Sequence, residues 1–226
     1  MKKKTTAVTV LMYVSEIVFL ALFFFLLKEH MLIKWIYVFI VGLLISPFFS
    51  RFYCGWICPI NTLFKPVNFI YSKLGIKKFK TPKFMNNNVF RIIFLISFIS
   101  LFIATRVLKI KLNILLYVIG IASIVNLFFE EEFWHKHICP YGSLLSIFST
   151  KPIVGKIEID KNKCIGCGLC QKVCPNDTIT ITDNNKRKIE IKECLTCFEC
   201  QRVCPVSAIK YQKPSKEFAE TVESDK

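Results

Sequence analysis

The C-terminal third of the chain carries the same cysteine pattern twice, and this repeat limits the possible folds more than any other feature. Each copy has four cysteines separated by two, two and three residues, and a proline follows the fourth cysteine. The first copy consists of Cys164, Cys167, Cys170, Cys174 and Pro175, and the second of Cys194, Cys197, Cys200, Cys204 and Pro205. Eight of the 11 cysteines therefore lie between residues 164 and 204.

The spacing within each copy is that of bacterial ferredoxins with two [4Fe–4S] clusters, in which the fourth cysteine of each run binds the other cluster. The pattern therefore predicts one cluster on Cys164, Cys167, Cys170 and Cys204, and another on Cys194, Cys197, Cys200 and Cys174. Two zinc sites are the alternative, because C-x2-C pairs also bind zinc. Zinc does not explain the repeated Cys-Pro. Thiols spaced for metal also argue against a disulfide framework and for a reducing compartment.

The residues around these cysteines predict a separate domain. We expect residues 151–211 to form a small α+β ferredoxin domain with two pseudo-symmetric halves, in which the clusters supply much of the stability. Short strands at 156–159 and 189–192 are predicted to precede the cluster loops. Residues 212–226 are polar and are expected to form a disordered tail.

Residues 1–150 are dominated by long apolar stretches. The whole chain is 53% hydrophobic with 22 Phe, which exceeds the apolar content of ordinary soluble domains. Stretches at 7–27, 32–49, 89–108 and 112–129 each approach the ~20 residues that cross a bilayer. We therefore expect an α-helical membrane domain with four transmembrane helices. Buried core helices are the alternative, but no polar periodicity interrupts these stretches. The first stretch has no small-residue cleavage site, which favours an uncleaved span over a signal peptide.

The basic residues predict the orientation of these helices. The segment 50–91 contains eight Lys or Arg and no Asp or Glu, and residues 2–4 are three lysines. Basic loops mark the cytoplasmic side. Both termini and the ferredoxin domain are then expected in the cytoplasm, beside the inner cell membrane. The net charge of +15 is attributed to this topology and to anionic lipid headgroups, not to nucleic acid.

A second, weaker repeat follows the second and the fourth apolar stretch. The first copy reads C-G-W-I-C-P from Cys54, and the second reads H-K-H-I-C-P from His135. We interpret the membrane domain as a duplicated unit, each half with two spans and a Cys/His-x3-Cys-Pro turn. If the halves pack pseudo-symmetrically, their ligand-type side chains converge near the membrane surface.

Four side chains of these turns are candidate metal ligands: Cys54, Cys58, His135 and Cys139. Three thiolates and an imidazole suit a third Fe–S centre, because mixed His/Cys ligation occurs in Rieske clusters. A transient copper or zinc site is equally consistent with these ligands. A redox-active thiol pair, or reduced cysteines with a purely structural role, are the other interpretations. His137 lies two residues out of register.

Two Cys/His-x3-Cys-Pro turns after membrane helices, followed by a two-cluster ferredoxin module, resemble the NapH-type quinol-dehydrogenase subunits of periplasmic nitrate reduction. The related NosR-type and CcoG-type membrane iron–sulfur proteins share this layout. The resemblance covers roughly residues 1–211, and the most family-specific residues are Cys54, Cys58 and Pro59; the family usually has Cys where this chain has His135. It implies electron transfer between the quinone pool, or a membrane partner, and the two clusters, together with a redox partner protein. The alternatives are a copper reductase or assembly factor for a respiratory complex, and a redox-sensing regulator.

Glu16 is the one acidic residue placed deep in an apolar stretch. A charge there is costly and suggests a function. Quinol oxidation releases protons that clusters do not accept, so Glu16 is the candidate general base. A neutral Glu hydrogen-bonded between helices, or a span that begins further along, are the alternatives.

The acidic run 130–132 is expected to be solvated or paired with Arg51 or nearby lysines.

Overall fold

The structure is a computed structural model that describes residues 2–82, 85, 88–109, 113–150, 152–182 and 184–213. Almost all of the tail expected at 212–226 lies outside the described residues. The described residues form a helical part followed by a small part that combines short strands and helices.

The helical part contains seven α-helices among the described residues. They are α1 (Lys2–Lys28), α2 (Trp35–Phe49), α3 (Phe52–Trp56), α4 (Pro59–Leu74), α5 (Asn88–Val107), α6 (Ile114–Phe128) and α7 (Pro140–Phe148). A 3-10 turn, Leu32–Lys34, leads into α2, and a π-helix, Phe133–Ile138, leads towards α7.

Three of these segments are long and apolar enough to cross a membrane: Ala7–Lys28, Leu32–Phe49 and Val89–Val107. Their outward faces carry large apolar side chains, such as Ile17 and Leu44, that are about two-thirds exposed and suit contact with lipid. Helix α6 is apolar but has 15 residues, about 22 Å at 1.5 Å per residue, which is less than the ~30 Å hydrocarbon layer. The fourth span therefore stays a prediction.

Each Cys-Pro pair of the helical part begins a helix. Pro59 starts α4 and Pro140 starts α7, where the missing N–H of proline costs no hydrogen bond. Helix α4 is amphipathic, and it buries Ile60 and Phe64 on one face. It ends at Gly75, whose φ of 68° is the left-handed conformation typical of helix C-termini.

The second part is an α+β unit of two small sheets. Strand β1 (Lys156–Ile159) pairs antiparallel with β4 (Ile209–Gln212), and β2 (Ile179–Ile181) pairs antiparallel with β3 (Arg187–Ile189). Helices α8 (Leu169–Lys172) and α9 (Glu199–Val203) each follow the first cysteines of a run. The core of this unit is built from isoleucines of the strands and from the cysteines themselves.

The predicted strand at 156–159 is confirmed, whereas the strand predicted at 189–192 is wrong. Strand β3 ends at Ile189, and a 3-10 turn follows at Ile191–Glu193. The physical reason is tertiary: the side chain of Glu193 is buried against the helical part, and the Ile191 carbonyl accepts a hydrogen bond from Ser50 Oγ of that part.

Candidate functional site

The eight cysteines of the α+β unit surround two separate cavities. One cavity is lined by Cys164, Cys167, Cys170 and Cys204. The other is lined by Cys174, Cys194, Cys197 and Cys200. The grouping crosses over, because the last cysteine of each run faces the cavity of the other run.

The donor sets fit an iron–sulfur cluster better than a single ion. Within the described part of the chain, no group of three or more His, Cys, Asp or Glu converges tightly enough to hold one metal ion. A zinc ion needs its sulfur ligands about 2.3 Å from one point, whereas the ligands of a cluster bind separate irons. Backbone N–H groups of Thr178 and Ala208 donate to the sulfurs of Cys174 and Cys204 at 3.5 and 3.3 Å. Such hydrogen bonds stabilise thiolates that bind metal.

The two Cys-Pro turns of the helical part share one backbone geometry. The N–H of Cys58 donates to the Tyr53 carbonyl at 3.0 Å, and the N–H of Cys139 donates to the Trp134 carbonyl at 2.8 Å. The acceptor lies five residues before the cysteine in both turns. Both cysteines also have an extended backbone at the position that caps the next helix.

These turns bring four predicted ligands into one buried region. Cys54, Cys58 and Cys139 belong to the same apolar core, and His135 is 3% exposed. Arg51 lies between the turns, with Nη2 3.9 Å from Cys54 Sγ and 3.3 Å from the His135 carbonyl oxygen. The Nε2 of His135 has no hydrogen-bond partner among the described residues.

The environment sets the charge of these groups in the absence of metal. Burial, reinforced by the charge of Arg51, lowers the pKa of His135 to about 3, so its imidazole is neutral. Burial also raises the pKa of Cys139 to about 11 and raises that of Cys58 further. The two thiols are therefore uncharged at neutral pH unless a metal replaces their protons.

The cluster loop of the α+β unit docks beside these turns through one buried carboxylate. Glu193, 1% exposed, accepts from Arg51 Nη1 at 2.6 Å and from Arg91 Nη1 at 2.5 Å. Ser146 Oγ also donates to it, at 2.6 Å. Burial alone would raise the pKa of Glu193, but the two guanidinium groups hold this pKa below its usual value. Sequence analysis missed Glu193, whose only local signal is that it precedes Cys194. The pairing that was expected between Arg51 and the acidic run 130–132 is wrong, because Arg51 pairs with Glu193.

The same loop approaches the first Cys-Pro turn very closely. A Cβ atom added to Gly55 would lie 2.2 Å from the Leu195 carbonyl oxygen, so only glycine fits there. Trp56 Nε1 donates to the Thr196 carbonyl at 3.0 Å. The cavity that includes Cys194 therefore adjoins the turn that holds Cys54 and Cys58.

Glu16 is buried, but it has a partner. Its Oε1 lies 2.5 Å from Nζ of Lys65 on α4, and the residue is 2% exposed. The neighbouring Ser15 donates to the Trp56 carbonyl at 3.1 Å. Glu16 therefore lies at the level of the first Cys-Pro turn, in an interhelical ion pair. Sequence analysis did not find Lys65, which is 49 residues away in the chain.

An apolar cavity of about 220 Å³ lies between helices α2, α5, α6 and α7. Tyr141 on α7 lines it, and its ring centroid lies 4.9 Å from that of Phe39 and 5.6 Å from that of Phe98. Because Tyr141 is two residues after Cys139, this cavity ends next to the second Cys-Pro turn. Glu16 is not among the described residues that line it.

The acidic run 130–132 lines a polar cavity of about 730 Å³ between the helical part and the α+β unit. It is half-buried rather than fully solvated. The expected pairing with a nearby lysine is confirmed for Glu132, whose Oε1 lies 3.7 Å from Nζ of Lys136. Burial raises the pKa of Glu131 to about 7. Lys78 lines the same cavity and donates to the side-chain oxygens of Asn68 and Asn126.

Two family models match the chain. A "4Fe-4S dicluster domain" matches residues 156–205, and a "4Fe-4S binding domain" matches residues 32–77 and again 112–158. Each of the last two stretches contains one Cys-Pro turn.

The chain is also similar to curated proteins. It is 30% identical over 168 residues to an uncharacterised protein of Methanocaldococcus jannaschii, covering 66% of this chain and 68% of that protein. It is 25% identical over 152 residues to the "Ferredoxin-type protein NapH" of Haemophilus influenzae, covering 62% and 53%. It is 29% identical over 136 residues to the "Methylamine utilization ferredoxin-type protein MauN" of Methylorubrum extorquens, covering 55% and 47%. The chain thus spans about half to two-thirds of the length of these relatives. No solved structure matches it.

Proposed function

Because the chain belongs to the NapH-type family of iron–sulfur proteins, we propose that it oxidises quinol in the membrane and passes the electrons to two [4Fe–4S] clusters in its ferredoxin domain. The family and its matched domains identify an iron–sulfur electron-transfer protein. We further propose that its donor is a quinol, that it holds two clusters and that its ferredoxin domain lies in the cytoplasm.

One observation supports the proposal most directly. The apolar cavity adjoins one Cys-Pro turn, and the cavity lined by Cys194 and Cys197 adjoins the other. Tyr141 joins the apolar cavity to the second turn. Gly55 and Trp56 join the first turn to the loop that contains Cys194 and Cys197. A lipid-soluble donor in the apolar cavity would thereby adjoin the second turn, and a thiolate-bound acceptor would adjoin the first.

The cysteines that line each cavity are the proposed ligands of one cluster each. Cys164, Cys167, Cys170 and Cys204 would hold the first, and Cys174, Cys194, Cys197 and Cys200 the second. When bound, such clusters accept and donate single electrons. The protein contributes burial and N–H···S hydrogen bonds, both of which tune cluster potentials.

The apolar cavity is the proposed quinol site. Its walls are mostly aromatic and aliphatic, and the hydroxyl of Tyr141 supplies a polar group at the turns. Glu16, a buried carboxylate paired with Lys65 at the level of the first turn, does not line this cavity. It remains the proposed final acceptor of protons that leave the quinol site and pass along the turns.

The membrane arrangement is also proposed. Four spans in two duplicated halves place both termini in the cytoplasm. The equal backbone geometry of Cys58 and Cys139, and the two matches of one family model, support the duplication. A reporter after Lys226 is expected to report cytoplasm, and one after Leu108 the outside. The reverse pattern would refute the orientation.

The test of the function uses anaerobically purified protein. It is expected to contain at least about eight irons, enough for two clusters. Menaquinol should reduce these clusters in detergent or vesicles. Clusters that dithionite reduces but no quinol reduces would refute quinol oxidation, and stoichiometric zinc without iron would refute the clusters.

A specific observation favours a second candidate, metal reduction or assembly. Cys54, Cys58 and Cys139 share one buried core with a neutral His135 whose Nε2 lacks a partner among the described residues. This set is the proposed site of a third Fe–S or metal centre, and its side chains, which do not converge on one ion in this structure, would have to move to bind it. Cys58→Ser and Cys139→Ser are expected to remove one metal or one paramagnetic signal while the ferredoxin clusters persist. Copper bound in this set at unit stoichiometry would favour the second candidate.

A further inference from the structure

The two cysteine-lined cavities differ in what covers them. Leu195, in the loop of the second cysteine run, is 3% exposed and belongs to the apolar core of the helical part. Cys167, in the first run, is exposed, and its neighbour Ile165 is 62% exposed. One cavity therefore faces the membrane part and the other lies at the protein surface.

Three exposed apolar side chains surround the outer cavity. Ile165, Leu169 and Val206 line it and are 62%, 42% and 37% exposed. Exposed apolar side chains clustered around a functional site are typical of protein-binding surfaces. They lie in the α+β unit, outside the three candidate spans.

The rim of this surface is basic among the described residues. Lys161 and Lys163 are exposed in the loop that leads to Cys164. Lys186 Nζ donates to the Cys164 carbonyl at 2.5 Å, which adds a third positive charge beside the cavity. Asp160 is the acidic neighbour, and it lies 3.4 Å from Lys163.

We propose that the surface formed by Ile165, Leu169, Val206, Lys161 and Lys163, here called the outer surface, docks a small soluble electron-carrier protein. The carrier would have acidic residues around its own redox centre, complementary to the lysines. The inference rests on the proposed electron-transfer function. One electron moves between the outer cluster and the carrier's centre, one side is oxidised as the other is reduced, and no bond forms or breaks.

The chemistry of the outer surface suits such an encounter. Apolar side chains at the centre and charges at the rim give a small, wet interface that dissociates quickly, as electron-transfer complexes do. Complementary charges raise association rates by about 10- to 1,000-fold at low salt. The cluster in the inner cavity would then exchange electrons across the Cys-Pro turns. The cluster in the outer cavity would exchange electrons with the carrier protein in the cytoplasm.

Binding is tested with an acidic plant-type [2Fe–2S] ferredoxin as the probe and the full cluster-loaded chain in detergent. The double variant Lys161→Glu/Lys163→Glu is expected to raise the Kd at least tenfold at ~20 mM salt and to weaken the salt dependence that is expected of the wild-type complex. The control Lys73→Glu/Lys77→Glu makes the same change in net charge at the end of α4 and in the segment that follows it, and it is expected to leave the Kd unchanged. Equal Kd values in the two double variants, or tighter binding of a basic cytochrome c, would overturn the proposal.

The rate of electron transfer provides the second readout. Ferredoxin reduced with dithionite and then desalted is mixed with the oxidised cluster-loaded protein, and Ile165→Gln is expected to slow reduction of the clusters about tenfold without changing its salt dependence. Direct reduction of the clusters by dithionite is expected to be unchanged. Because dithionite supplies the electrons in place of quinol, a failure of quinol oxidation would not affect this test. An unaltered rate in both the lysine double variant and Ile165→Gln would refute docking at the outer surface and leave the proposed quinol oxidation untouched.

Discussion

Replacing Glu193 by Gln should detach the ferredoxin domain from the turns of the membrane part. Glutamine keeps the shape of the side chain and removes the charge that compensates Arg51, which is 0% exposed, and Arg91. Removing one partner of a buried ion pair costs about 3–5 kcal/mol. Even the lower figure shifts the docking equilibrium by a factor of about 150, since 1.4 kcal/mol corresponds to tenfold.

Hydrogen exchange measures this effect directly. Amides of residues 191–197 should lose protection in Glu193→Gln, while β1 and β4 keep theirs, because both strands lie inside the ferredoxin domain. Quinol-driven reduction of the clusters should slow, and reduction by dithionite should not change.

Glu199→Gln is the matched control for this prediction. Glu199 pairs with Arg202, whose side chain is 56% exposed, and surface pairs contribute at most about 1 kcal/mol. Wild-type protection of residues 191–197 in Glu193→Gln would refute the view that this carboxylate holds the two parts together.

Three further predictions concern single residues. Glu16→Gln should slow quinol-driven reduction about tenfold at unchanged iron content; an unaltered rate would limit Glu16 to packing against Lys65. Gly55→Ala should slow transfer from quinol to the clusters, because its Cβ would meet the backbone oxygen of Leu195 at 2.2 Å; wild-type transfer would show that this contact is not on the electron path. In the folded protein the pKa of Glu131 is about 7, above its usual value of 4.5. Protonation of Glu131 therefore stabilises the folded state. This contribution to the free energy of unfolding is complete below pH 4.5 and is lost as the pH rises through 7. Thermal unfolding between pH 5 and 8 should therefore depend less on pH in Glu131→Gln, and parallel curves for the two proteins would contradict this.

The features that sequence analysis predicted are mostly local ones. The spacing of the cysteine runs and the strand at 156–159 are encoded within a few residues, and the strand appears as expected. The apolar stretches are equally local, although α6 is shorter than its stretch suggested. The partners of buried charges are not local: Glu193 is 142 residues from Arg51 in the chain. No periodicity or spacing connects them, and the same long-range contact turned the predicted strand at 189–192 into a 3-10 turn.

The separation between Arg51 and Glu193 also affects how the protein is made. At about 5–20 residues per second, a ribosome needs roughly 7–28 s to go from the arginine to its carboxylate partner. During that interval the guanidinium of Arg51 lacks its carboxylate partner. The last third of the chain supplies both the missing charge and the loop of Cys194 and Cys197. We therefore expect the membrane part to complete its packing around Arg51 only after this loop has been made.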